Sequence, residues 1–346
     1  TACPSVSGGV CKYLQIHRGT GDAMDQPSKD ELSMLTRVNL IFRFSYTIPF
    51  LLASVCGVVY AVSYDVPWHI MVLIPVAVLL LALFVNFSND YFDHKSGVDK
   101  KVNDQKSRSR DNLMTSDAVK RVYWEGNQFD TGLVTERQGK AIMAALLVLI
   151  VIVALPVIAY GGWSVVVLGL IGAALAFFYT APPVNLGARG LGEVSVAISF
   201  FMMCFCSFYV ATGTFTVEIL LFSVMIGIIV GLMRLIDSMS ANDVHLEMHE
   251  VNMSIRLGTE GTVRAIKAVV VIAYVLAALM CYYNLLNVLL FATLLITVKM
   301  VRVIDARREH WDVAIIPFSF LFSLLTEVLF LVVTLCTMAV GPVVFW

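Results

Sequence analysis

Residues 71–99 read MVLIPVAVLLLALFVNFSNDYFDHKSGVD. No polar side chain occurs until Asn86, and a run of this kind reads as a helix crossing a bilayer, which takes about 20 mostly apolar residues. Where the run ends, Asn86, Asn89, Asp90 and Asp93 fall at i, i+3, i+4 and i+7, so a continuing helix lines all four along one face. Charge is costly against lipid, so this face turns toward a polar cavity. Two carboxylates and two amides are hard oxygen ligands of the kind Mg²⁺ takes, usually together with a substrate phosphate. A solvated, capped helix end would need one such group; four aligned groups exceed that need.

The rest of the chain has the same character. It is 59% hydrophobic and 14% charged, against about 25% charged for a soluble globular domain. Nine apolar runs are long enough to be membrane helices, at roughly 38–63, 69–88, 141–161, 163–180, 191–212, 216–237, 264–283, 285–304 and 313–339. Alternating ten-residue strands are absent, which excludes an outer-membrane barrel. The expected fold is all-α, a polytopic bundle of nine transmembrane helices. The connections SYDVPW, YGGW, TGTFT and YYNLL and the tail GPVVFW hold no Lys or Arg; all 24 basic residues lie on the other side. The positive-inside rule then places the N-terminus in the cytoplasm and the C-terminus outside, in a plasma membrane protein whose long connections are all cytoplasmic. Residues 1–33, polar and without an apolar segment, read as a mobile cytoplasmic leader before an intramembrane domain at 34–346.

Other polar groups fall on that cytoplasmic side. Asn39, Arg43, Tyr46 and Thr47 make one stripe on the first span, with Arg43 placed either to snorkel or to meet a substrate. The loop 94–138 carries Lys95, Lys100, Lys101, Lys106, Arg108 and Arg110, which suits a polyphosphate and equally suits plain positive-inside bias. Pro182 and Pro183 stop the fourth span beside Tyr179, and Arg189 is the base in the turn after it. The sixth span ends in Arg234 and Asp237, spaced to pair. If that helix continues, Asp243, Glu247 and Glu250 form a second acidic face. Two acidic clusters on one side suggest metal ions bridging a diphosphate. His245-x-Glu247-x-His249 does not have the zinc-protease spacing, because Glu247 projects away from both histidines. Glu327, in mid-span, is expected to be neutral or hydrogen-bonded to a neighbour. The seven cysteines form no disulfide pattern.

NDYFDHKSGVD at 89–99, FYTAPPVNLGARGLGE at 178–193 and SIRLG at 254–258 resemble the UbiA-type intramembrane aromatic prenyltransferases. FYVATGTFT at 208–216 and DTGLVTERQ at 130–138 look most like the branch that prenylates 1,4-dihydroxy-2-naphthoate in menaquinone synthesis. The resemblance spans roughly residues 35–340. It implies an enzyme that uses Mg²⁺ to join the chain of a polyprenyl diphosphate to an aromatic acceptor within the lipid bilayer. It implies metal ligation and catalysis by Asn89, Asp90 and Asp93, with Tyr179, Arg189 and Arg43 at family positions. Asn86, Asn39, Lys95, Arg234 and Asp237 are candidate substrate contacts beside them.

The second family motif departs from its usual D-x-x-x-D. Ungapped counting from Arg256-Leu-Gly puts Ala241 and His245 at the acidic positions; a two-residue shift recovers Asp243 and Glu247, the favoured second metal pair. Asn127 stands where an Arg is usual, and Glu250 and Val251 replace an expected base. The alternatives are a polytopic transporter, or the same chemistry on hydroxybenzoate or a glycerophosphate lipid. A transporter accounts for nine spans and Glu327 but not for two oxygen-rich clusters on one face, since transporter sites tend to lie at the bilayer midplane. No nucleic-acid partner is expected, and the oligomeric state stays open.

Overall fold

The apolar run that opens at Trp68 stays helical as far as Ser96, where Gly97 in the left-handed region receives the chain and closes the helix. At 1.5 Å per residue, the 29 residues of this helix reach about 43 Å, longer than the roughly 30 Å hydrocarbon core. Its last turns, which carry Asn86 to Asp93, therefore stand at or beyond the membrane edge. The computed structural model describes residues 44–97, 127–307 and 311–344, and with them Met34, Val38, Ile41 and Phe42. The chain divides into two units, Thr1–Arg37 and Val38–Trp346.

The second unit is a helical bundle. Its helices are α1 (Phe44–Tyr60), α2 (Trp68–Ser96), α3 (Glu136–Gly161), α4 (Trp163–Phe177), α5 (Gly192–Thr212), α6 (Val217–Met239), the short α7 (Asn242–Glu247), α8 (Met253–Tyr283), α9 (Leu294–Ala306) and α10 (Ile316–Val340). A 3₁₀ segment, Leu285–Thr293, leads into α9, and a four-residue helical turn, Trp311–Ala314, precedes α10. Among the described residues eight helical stretches are long and apolar enough to cross a membrane, and α4 is a shorter apolar helix of 15 residues. The chain is thus an all-helical, multi-pass membrane protein.

Burial ranks these helices. In α6 61% of the apolar window is buried, against 11% in α3, so α6 is the central post and α3 faces outward. Helices α5, α8 and α10 pack around α6, and α1 packs on α5. Phe222 of α6 stacks on Phe330 of α10 with ring centroids 3.6 Å apart. Helices α5 and α6 approach each other closely at two glycines. A Cβ on Gly227 would stand 2.6 Å from the Ala197 carbonyl oxygen, and one on Gly231 would stand 3.0 Å from the Ala197 Cβ and 3.2 Å from the Glu193 carbonyl oxygen. Gly227-x-x-x-Gly231 is the small-residue spacing by which helices in lipid pack without a hydrophobic driving force. On the other flank of α5, a Cβ on Gly57 of α1 would lie 2.2 Å from the Cys204 carbonyl oxygen, and Ser54 and Ser207 hydrogen-bond at 2.7 Å.

At the end of the bundle where α6 begins, Glu218 accepts from the Tyr60 hydroxyl at 2.8 Å and from Asn287 Nδ2 at 2.6 Å, tying α1, α6 and the 3₁₀ segment together. Of the two expectations for Glu327, neutral or hydrogen-bonded, the hydrogen bond is not found among the described residues. The residue is fully buried, and neither carboxyl oxygen meets a hydrogen-bond partner among the described residues. Cys56 donates from Sγ to the Glu327 carbonyl oxygen at 3.5 Å, a bond to the main chain and not to the carboxyl group.

Substituting Gly227 with Leu forces α5 and α6 apart, and overpacking of this kind costs about 1–3 kcal/mol. Thermal unfolding of the purified protein in detergent should shift clearly downward. Gly169→Ala, where an added Cβ meets nothing within 4 Å, should leave the midpoint unchanged.

Candidate active site

The emergent end of α2 holds the first cluster. Asp90 is buried, and Asn89 donates from Nδ2 to Asp93 Oδ2 at 2.9 Å, so the i, i+4 spacing read from sequence is used within the cluster itself. Asn89 then turns its carbonyl oxygen into the interior, where Oδ1 has no hydrogen-bond donor among the described residues; the same holds for Asn86 Nδ2, which has no acceptor. An orphaned amide oxygen between two carboxylates is the donor chemistry of an Mg²⁺ site. Among the described residues no three His, Cys, Asp or Glu side chains are already gathered around a metal position. The donor set therefore fits a cation bound through a few carboxylates plus phosphate and water, the habit of Mg²⁺, better than a closed protein cage.

The segment that leads into α3 braces this helix end. Asn127, fully buried, donates from Nδ2 to the Asp90 carbonyl oxygen at 2.7 Å and accepts from the Phe129 amide at 2.9 Å. The Phe129 ring packs on Phe87, Tyr91 and His94. Lys95 pairs with Glu136 at 2.6 Å, both about half exposed, so this cation is held at the rim.

The second half of the site comes from the α4–α5 connection and the end of α6. Tyr179 sits in a slot made by two glycines. A Cβ on Gly187 would lie 3.3 Å from the Tyr179 carbonyl oxygen, and one on Gly192 would lie 3.3 Å from its ring. The Arg234 guanidinium stands 5.8 Å from the centre of that ring and donates from Nη1 to Asp237 Oδ2 at 2.9 Å. Burial pushes the Tyr179 phenol above its ordinary range; Arg234 draws it back, and Glu193 and Asp93 add to the rise. The phenol is thus a neutral hydrogen-bond donor at working pH. Asp93 from α2, Glu193 from α5 and Arg234 with Asp237 from α6 all bear on this one hydroxyl.

Several sequence candidates stand elsewhere. Helix α6 stops at Met239, and Ala241, at φ −124° and ψ 16°, starts the separate α7. Asp243 and Glu247 lie on that short helix with exposed side chains, whereas Asp237 lies in the last turn of α6 within the Tyr179 cluster. Arg189 is exposed and donates from Nη2 to the Pro183 carbonyl oxygen at 2.9 Å, bracing its own loop. Asn39 and Arg43 lie outside the described residues, as do Lys100, Lys101, Lys106, Arg108 and Arg110. Thr47 bonds back to the Phe44 carbonyl oxygen of its own helix.

The sequence pattern alone does not single out Glu193 or Gln128. Gln128 is fully buried, with neither side-chain polar atom partnered among the described residues. Glu193, in the first turn of α5, is 4% exposed, and neither of its carboxyl oxygens meets a donor among the described residues. The signal for Glu193 is Gly227-x-x-x-Gly231, which pulls α5 onto α6 one turn from Arg234.

The UbiA prenyltransferase family profile matches residues 50–325. A 1,4-dihydroxy-2-naphthoate octaprenyltransferase of Bacillus subtilis (strain 168) is 22% identical over 262 residues, covering 74% of this chain and 76% of that protein. The structure of a UbiA homologue from Archaeoglobus fulgidus bound to GPP and Mg²⁺ has a TM-score of 0.62 at 14% identity, covering 88% of this chain and 100% of that one. An apo UbiA homologue from Aeropyrum pernix K1 has a TM-score of 0.59 at 17% identity, covering 85% and 98%. With more than half its length matched by the profile and the same helical fold, the chain belongs to the UbiA prenyltransferase family, and it is a multi-pass membrane prenyltransferase.

Proposed function

We propose that this protein transfers an isoprenyl chain from a polyprenyl diphosphate to an aromatic acceptor, 1,4-dihydroxy-2-naphthoate or a related quinone precursor, in an Mg²⁺-dependent reaction within the plasma membrane. The observation that carries this reading is the convergence on Tyr179 of the acidic end of α2 and the Arg234–Asp237 end of α6. The naphthoate acceptor is supported by the name of the Bacillus relative and by the segments at 130–138 and 208–216.

Asn89, Asp90 and Asp93 would hold Mg²⁺ on one side of the diphosphate, with Asp237 on the other. When bound, the metal neutralises the charge that grows on the leaving oxygens. Asp237 is preferred to Asp243 and Glu247 by its place beside Tyr179 and Arg234. The Tyr179 hydroxyl donates to a diphosphate oxygen, and its ring presents a negative π face to positive charge. The aromatic floor formed by Tyr91, Phe92 and Phe177 keeps water from an allylic cation. In the proposed topology, nine helices cross the bilayer, with α4 counted as the ninth. The N-terminus is cytoplasmic, the C-terminus is outside, and the site opens to the cytoplasm. At about 22 Å, α4 spans a locally thinned bilayer.

Asp90→Ala and Asp93→Ala should each lower prenyl transfer from geranyl diphosphate to 1,4-dihydroxy-2-naphthoate by on the order of 10²–10³, while the protein still reaches the membrane. Wild-type turnover by either variant would remove the metal site from α2.

Asp237→Asn should raise the Mg²⁺ concentration needed for half-maximal activity several-fold, and Glu247→Gln should leave it unchanged. The opposite pattern would return the second metal to α7.

A reporter fused after Trp346 should be accessible from outside the cell, and one inserted in the loop 98–126 only from the cytoplasm. Finding both on one face would make the number of crossings even.

A further inference from the structure

Glu193 is buried against the close contact between α5 and α6, and among the described residues both of its carboxyl oxygens lack a donor. A carboxylate shut away from water without a hydrogen bond is costly, and proteins keep such groups where a ligand completes them. Its place is fixed from two sides. The adjacent Gly192 abuts the Tyr179 ring, and the Glu193 carbonyl oxygen faces Gly231, three residues before Arg234. Tyr179 and Arg234 both lie within its electrostatic reach, yet Arg234 spends its Nη1 bond on Asp237 and leaves the Glu193 oxygens open. Glu193 also comes from α5, whereas the groups assigned to Mg²⁺ and the diphosphate come from α2, the α4–α5 connection and α6.

The missing partner must be a donor brought by substrate. A diphosphate carries acceptors only; an aromatic acceptor of this reaction carries a ring hydroxyl. We propose that Glu193 is the acceptor-side base, receiving the hydrogen bond and then the proton of the hydroxyl on the aromatic acceptor. This rests on the prenyl-transfer reading above.

Atoms and electrons balance in this step. The hydroxyl proton passes to a Glu193 carboxyl oxygen, and the O–H electron pair becomes the second bond of a ring C=O. A ring π pair forms the new bond to the allylic carbon, and the C–O bond to the diphosphate breaks with its pair leaving on the diphosphate. The alkylated ring carbon then releases its substituent, a proton to water or a carboxylate as CO₂. Its bonding pair restores the ring, and the oxygen recovers its proton from Glu193. No oxidant or further reactant is required. Holding a base at hydrogen-bond distance from the proton it removes contributes roughly 10²–10⁴-fold.

The test uses the full-length protein in detergent or vesicles, with geranyl diphosphate and Mg²⁺ as donor and 1,4-dihydroxy-2-naphthoate and 4-hydroxybenzoate as acceptors. Glu193→Gln should bind geranyl diphosphate with Mg²⁺ within about twofold of wild type by calorimetry, which also shows that it is folded, yet lose on the order of 100-fold in transfer. Glu193→Asp, which keeps the carboxylate, should recover part of that loss. With a fluorinated acceptor already ionised at the assay pH, the wild-type to Gln ratio should shrink to a few-fold, because the base is no longer needed. Wild-type turnover by Glu193→Gln, a parallel loss of diphosphate binding, or a ratio unchanged with the ionised acceptor would each overturn the assignment. If the wild type binds geranyl diphosphate but alkylates neither acceptor, the prenyl-transfer reading fails first, on a different readout, and the base assignment falls with it.

Discussion

The contact between α5 and α6 sets what the remainder of the bundle can do. In lipid, apolar side chains gain nothing by leaving the solvent, so helices associate where their backbones can come close. Gly227 and Gly231 supply that surface, and Ala197 and the backbone of Glu193 fill it with no room for a methyl group. Gly57 does the same on the far side of α5. Helix α5 is thereby clamped between α1 and α6, and its first turn is delivered beside the last turns of α6. Tyr179, Glu193, Arg234 and Asp237 come from separate stretches of sequence, and this one packing constraint brings them together.

A second device keeps the loops at this end of the bundle from relaxing that arrangement. The turn after α4 and the segment after α6 are stitched to each other. The Val251 amide donates to the Ala188 carbonyl oxygen at 2.9 Å, and Arg256 donates from Nη2 to the Arg189 carbonyl oxygen at 2.6 Å. Gly190, at φ +74°, allows the Arg256 side chain to cross where a Cβ would stand 2.6 Å from its Nε. Asn242 and Asn252 organise the far strand of the stitch, with Asn252 also capping α8 through the Ile255 amide at 2.8 Å. Arg189, which the family reading places among the substrate contacts, thus serves partly as a brace, bonding to the Pro183 carbonyl oxygen, while Arg256 bonds to the Arg189 carbonyl oxygen.

The membrane class and the first cluster were legible because both depend on local pattern. An apolar run of sufficient length has one stable form in a bilayer, and i, i+3, i+4, i+7 groups share a face wherever a helix persists. Helix α2 persists through Asp93, so Asn89 and Asp93 meet as the spacing requires. The second cluster depended on whether the chain stays helical past Ser240, and it does not: α6 ends at Met239 and the chain restarts as α7. Ser, Asn and Asp in SMSAND offer competing side-chain bonds to the backbone, as Ser240 does in donating to the Asp237 carbonyl oxygen at 2.7 Å. Glu193 was illegible from its own neighbourhood, since its importance lies in a helix 38 residues away. Which of the two expectations for Glu327 holds was illegible for a related reason: spacing cannot say which neighbours have already spent their hydrogen bonds on backbone.

The charge of the assembled site explains why metal and substrate belong together under the proposed reading. Among the described residues that it gathers, Asp90, Asp93, Glu193 and Asp237 stand against the guanidinium of Arg234, which already serves Asp237. Lys95 at the rim is held by Glu136, and Arg189 points to the Pro183 carbonyl oxygen. Unlike charges attract strongly at short range in a medium of low dielectric, and like charges repel by the same law. A diphosphate approaching these groups alone would meet a net negative field. With divalent cations on its oxygens, the same carboxylates become attractive, so the site selects the metal-loaded donor over the bare one. Under that reading the carboxylates themselves make the metal-bearing diphosphate, and not the bare one, the form of donor the site takes.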